Sequence, residues 1–95
     1  MTFAVHKYTL TPGECSAEIP VAWEALTAQF QRSMYGNGLA LWAHVDVDSE
    51  VVTKRFLVIP TGAVTPSPVD IKYIATAQEP QSGTVWHVFQ VHDNA

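Results

Sequence analysis

Cysteine is almost absent from these 95 residues. Cys15 stands alone, which excludes an internal disulfide and any zinc site built on cysteine. Positive charge is scarce too. The five basic residues are Lys7, Arg32, Lys54, Arg55 and Lys72, and only Lys54-Arg55 are adjacent; the formal net charge is −4. That balance excludes general nucleic-acid binding, which needs clustered cations to displace phosphate counterions. It leaves room for a discrete anionic ligand, because one arginine can grip a phosphate bidentately. No apolar run approaches the ~20 residues of a membrane span. Met1 to Lys7 lacks a basic stretch followed by an apolar one, so a soluble, intracellular protein is expected. Nothing matches a nucleophile elbow, a phosphate loop or a dinucleotide fingerprint. The expectation is a protein that is not an enzyme and carries no cofactor.

What is present is apolar. Hydrophobic residues make up 47% of the chain and charged ones only 15%, a composition that folds rather than stays disordered. Residues 1–95 fit a single domain, long enough to bury roughly 60–65% of its unfolded surface. So low a charge density hints that a partner covers part of the surface.

Turn signals recur at short spacing between β-rich runs, the pattern of a small all-β domain. The expected architecture is an antiparallel β-sandwich or partly open barrel of six to seven strands. Phe3 to Leu10 reads as a first strand, closed by Pro12-Gly13 in a type II turn. Cys15 to Pro20 returns, and Val21 to Glu24 offers at most one turn of helix. Asn37-Gly38 predicts the tip of a type I′ hairpin. That register sets Gly36 opposite Leu39, Tyr35 opposite Ala40, Met34 opposite Leu41, Arg32 opposite Ala43 and Phe30 opposite Val45. Phe30, Met34, Leu41, Ala43 and Val45 then line a core face. The other face carries Gln29, Gln31, Ser33, Tyr35, Trp42, His44 and Asp46. Val51 to Ile59 and Thr84 to His92 follow as strands, each with a stretch apolar on both faces. Tyr73 to Gln78 pairs with the latter, and Pro60 to Asp70 is a proline-broken loop. The expected core is Leu26, Phe30, Leu41, Val45, Phe56, Val58, Val85 and Phe89.

Several pieces recur in an order that resembles a known family. They are Lys7-Tyr8-Thr9-Leu10 with Pro12-Gly13, Glu18-Ile19-Pro20, and Leu41-Trp42-Ala43-His44-Val45-Asp46. Arg55-Phe56, Thr61-Gly62, Tyr73-Ile74-Ala75-Thr76 and Val85-Trp86-His87-Val88-Phe89 complete the set. Together they resemble short, mostly phage-encoded proteins of unassigned function. The chain departs from that pattern at Gln90, where an acidic residue is usual, and at Cys15-Ser16-Ala17, where the loop is usually longer. The resemblance implies a phage gene, a compact β fold and residence in the cytoplasm of an infected host cell. It assigns no catalytic or ligand residues.

The four histidines do not form a metal set. His87 and His92 are five apart, so in a strand they point to opposite faces. Cys15 has no helix terminus or neighbouring cation to lower its pKa. Asp46, Asp48 and Glu50 read as a solvated loop edge lacking the glycine of a calcium loop. Arg55, Thr61 and Gly62 are the candidate anion-binding residues, with Gly62 permitting close backbone approach. Tyr35, Trp42, His44, Trp86 and Val88 are the candidate interface residues. Trp86 and Val88 are assigned to a contact between copies, because a two-layer domain covers only one side of each sheet. The expected function is non-catalytic binding by a phage accessory protein. It would inhibit a host factor, for instance in defence, or sequester a small nucleotide-like anion. A minor virion or assembly protein is the alternative.

Overall fold

The computed structural model describes residues 1–33 and 36–92. Seven strands follow one another: β1 (Phe3–Leu10), β2 (Gly13–Pro20), β3 (Trp23–Ser33), β4 (Gly36–Asp46), β5 (Val51–Pro60), β6 (Ile71–Gln78) and β7 (Val85–Val91). They form a three-stranded sheet, β1-β4-β3, and a four-stranded sheet, β2-β5-β7-β6, antiparallel throughout. We refer to these as the first and second sheets. They stack as a small β-sandwich with β3 over β6 and β1 over β2. Its thickness of 17 Å is that of two layers whose backbones lie ~10 Å apart.

The chain changes sheets at short turns. Gly13 has a φ of +85°, the conformation that the third position of a type II turn needs and that Pro12 sets up. That turn carries the chain from the first sheet to the second rather than closing a hairpin. Val21-Ala22 brings it back, and β3 begins at Trp23 with no helical turn. Between the sheets lie Leu10, Ile19, Ala28, Leu39, Leu41, Ala43, Val45, Phe56, Val58 and Val88, all buried. Trp23 meets Phe56 edge to face at 5.9 Å. Each fully buried Leu, Val or Phe contributes roughly 1.5–3 kcal/mol.

Four expectations are corrected. First, Asn37 and Gly38 lie within β4, and neither has positive φ, so they are not a type I′ tip. Leu39 faces Phe30 instead of Gly36, and Leu41 faces Ala28. The partner of Leu39 thus moves by six residues, an even number, so the side chains of β4 keep their faces while every pair changes. Arg32 faces Asn37 rather than Ala43, and Val45 faces Trp23 rather than Phe30; the remaining expected partners, Met34 and Tyr35, lie outside the described residues. Second, the register slips between Ala25 and Thr27, a β-bulge at Leu26. Leu26 is 54% exposed, and Trp23 and Ala25 pack on the core in its place. Third, β7 turns the opposite way from the expected one. Val88 sits in the core, and Val85, His87 and Phe89 form the outer side. Fourth, Phe30 is only half-buried, packed against the core from its edge.

Candidate binding faces

Alternation along the strands leaves each sheet with an outer face, and both faces carry large apolar side chains. On the first sheet, Phe3 pairs with Asp46, Val5 with His44 and Lys7 with Trp42 across β1 and β4. This register stacks the Phe3 ring on His44 at 5.2 Å and 27°. Phe3 is 53% and Val5 57% exposed, beside a half-buried Trp42 and an exposed His44. On the same face the Lys7 Nζ donates to the Gln31 Oε1 at 2.8 Å. The result is an aromatic and aliphatic patch with a polar margin, held on paired backbone.

The second sheet's outer face is more apolar. Leu57 faces Phe89, Ile59 faces His87 and Tyr73 faces Phe89 from the other side. The rings of Tyr73 and Phe89 meet edge to face at 6.0 Å. At the head of this face His87 is held from both sides. Its Nε2 lies 2.8 Å from the Thr61 Oγ1 and its Nδ1 3.1 Å from the Thr76 Oγ1, which reaches the Tyr73 hydroxyl at 2.9 Å. Both ring nitrogens are therefore occupied by hydroxyls. Toward the β2 edge stand Glu14, Ser16, Glu18 and Arg55, and Glu18 accepts from the Thr53 hydroxyl at 2.6 Å.

The expected site residues are distributed unevenly over these faces. Trp42 and His44 lie together on the first outer face. Tyr35 is outside the described residues. Trp86 packs half-buried against the core and Val88 is fully buried, so both lie on the inner side of β7 and not on its outer face. The apolar residues of β7 that do face outward are Val85, Phe89 and Val91. Arg55, Thr61 and Gly62 do not converge. Thr61 reaches His87, whose partner Ile59 is four residues from Arg55. At the ~3.3 Å rise of a strand, that is about 13 Å. Arg55 instead donates to the His92 carbonyl at 3.3 Å. Gly62 has a φ of +94°, so its glycine is required by the turn that follows β5.

Phe3, Val5, Leu57, Ile59 and Tyr73 are additions to the expected faces. The alternation of β5 hinted at Leu57 and Ile59; Phe3 and Val5 join His44 only through long-range pairing. Among the described residues, no three His, Cys, Asp or Glu side chains are grouped to hold a metal ion. Asp46 is buried and serves its own turn, accepting from the Asp48 backbone N–H at 3.0 Å. No described helix is long and apolar enough to cross a membrane.

Neither the curated proteins nor the solved structures contain a match to this sequence. One family does match, over residues 1–95, described as a domain of unknown function. The chain, a seven-stranded sandwich with two exposed apolar faces, belongs to that family, DUF7352.

Proposed function

We propose that the protein is a phage accessory protein that acts by non-catalytic binding, with a host protein, such as a defence factor, as its target. The observation that carries this reading is the exposed patch of Phe3, Val5, Trp42 and His44. Aromatic side chains on rigid strands lose little conformational entropy on binding, and such residues dominate interface energetics. The separation of Arg55 from Thr61 favours a protein target over a nucleotide-like anion, because two-point recognition of a phosphate needs donors that converge.

Self-association belongs to the same proposal, through the second outer face. Leu57, Ile59, Tyr73, Val85 and Phe89 supply an apolar centre, and Glu14, Glu18 and Arg55 a polar margin, the anatomy of a protein interface. A two-fold pairing would bury this patch against itself. The phage origin rests on the resemblance of the motifs, and a minor virion role is the rival. Mass spectrometry of purified particles separates the two. The accessory reading expects this chain at trace level or absent, and a stoichiometric signal in particles would overturn it.

A further inference from the structure

The four sheet edges differ in what they show to a neighbour. In an antiparallel ladder, alternate residues turn their backbone N–H and C=O toward the partner strand and the rest turn them away. The Val47 N–H donates to the Thr2 carbonyl at 2.8 Å, and the Asp46 N–H donates the other way, to the Ala22 carbonyl before β3, at 2.9 Å. With the β1–β4 register, this phase gives β4 the backbone of Ala4, His6, Tyr8 and Leu10. Phe3, Val5, Lys7 and Thr9 present theirs at the free edge of β1, and all four are exposed. Among the described residues, no backbone bond from another segment reaches these four.

β1 is also the least guarded edge. Sandwiches blunt their edges with bulges, prolines and charges. The β3 register shifts at Leu26 and the β6 register at Ile74. Before β5, the Glu50 carbonyl accepts from the Val21 N–H at 2.7 Å, so β2 turns outward the backbone of Glu14, Ser16, Glu18 and Pro20. Two carboxylates and a residue with no N–H stand on that edge. Among the outward residues of β1 the one charge is Lys7, and its amine is drawn across the sheet to Gln31 on β3, away from the edge. The first sheet is one strand narrower than the second. On the inner side of β1 and β2, Tyr8, Cys15 and Ala17 are accordingly only half-buried.

We propose that the target presents an extended segment that adds to β1 as a fourth strand of the first sheet; this rests on the reading of the first outer face as the surface that meets a target. The segment's backbone pairs with Phe3, Val5, Lys7 and Thr9, which gives affinity, and its alternate side chains give specificity. Those on the outer side flank Phe3 and Val5 and extend the patch of Trp42 and His44. Those on the inner side turn toward Tyr8 and the half-buried side of β2. Both sides reward apolar and β-branched residues, so the segment is rich in valine, isoleucine and threonine and free of proline. Continuity with the aromatic patch favours a segment of the target over a second copy of the chain.

Hydrogen exchange on the ¹⁵N-labelled full chain reads the edge residue by residue. The probe is acetyl-Lys-Val-Thr-Val-Thr-Val-Thr-Lys-amide. A control of equal charge carries proline at its third and sixth positions, one on each edge of the peptide. In the free chain, the amides of Phe3, Val5, Lys7 and Thr9 are expected to exchange fast and those of Ala4, His6, Tyr8 and Leu10 slowly. The probe should slow the first four about ten-fold once it stands at about ten times its Kd, and the control should not. Lys7→Pro removes one outward N–H and leaves the β4 ladder whole, so it should melt cooperatively and lose the probe. If that variant does not fold, Thr9→Pro takes its place. Outward amides already slow in the dilute free chain, or slowed by raising chain concentration alone, would overturn the proposal. So would no protection by the probe, equal protection by the control, or undiminished binding in Lys7→Pro. None of these outcomes bears on capture of a target through Phe3 and Trp42, so the proposed function keeps its own test.

Discussion

Val88 on β7 stands opposite Val58 on β5, and the two are 0% and 1% exposed. This pair fixes which side of β7 is core, and it turns Val85, His87 and Phe89 outward. A charge at position 88 therefore enters a sealed interior with no partner, a change that costs several kcal/mol. Val88→Lys is expected to lose the fold itself, read as a missing cooperative transition in a urea melt monitored by circular dichroism. A Val88→Lys chain as stable as wild type would mean that β7 faces the other way.

The same register argument separates two residues that look alike in sequence. Leu26 occupies a bulge and is exposed, whereas Phe56 is 0% exposed beneath Trp23. Leu26→Glu should change stability by no more than about 0.5 kcal/mol. Phe56→Ala should cost about 3–5 kcal/mol, much of what a domain this size has. Chemical denaturation of the two variants beside wild type measures the contrast.

These cases mark what the sequence could convey. Strand order along the chain, the Pro12-Gly13 turn and the inward Leu41, Val45, Phe56 and Val58 were legible from alternation and turn chemistry. Leu26 was not, because a bulge breaks the two-residue period without a glycine or proline to announce it. β7 is apolar on both sides, so periodicity carries no sign there. Asn37-Gly38 is a strong local turn signal, and it lost to the apolar pairing of Phe30 with Leu39 and Ala28 with Leu41. Of the first outer face, Trp42 and His44 were visible on one strand. Phe3 was not, since only the pairing of β1 with β4 brings it to His44.

The second outer face predicts an assembly that breaks before the fold does. Phe89→Lys places a charge at the centre of that patch while leaving Val88 and Val58 untouched. Light scattering at micromolar concentration should give a dimer or small ring for wild type and a monomer for the variant, with similar melting temperatures. A monomeric wild type would remove self-association from the account.

Tyr8 gives a pH dependence with a defined sign. It sits on the core side of β1, and burial pushes its phenol above the ordinary value of 10.0. The folded chain then keeps a proton that the unfolded chain releases. The contribution is fully present below pH ~10 and is lost as the pH rises through the folded value. Urea midpoints at about pH 9 and about pH 11 should fall less for Tyr8→Phe than for wild type. An identical fall in both would show that Tyr8 titrates alike in the two states.

The central claim is that Phe3, Val5, Trp42 and His44 form the surface that meets a target. Immobilised wild-type chain and Phe3→Ala/Trp42→Ala should be exposed to infected-cell lysate, with bound proteins quantified by mass spectrometry and both chains melted in parallel. The expected result is a host protein retained at near-equal ratio by wild type and lost by the double variant, whose fold still melts cooperatively. Retention of the same protein at the same level by the double variant, or of nothing above a blank surface by wild type, would contradict it.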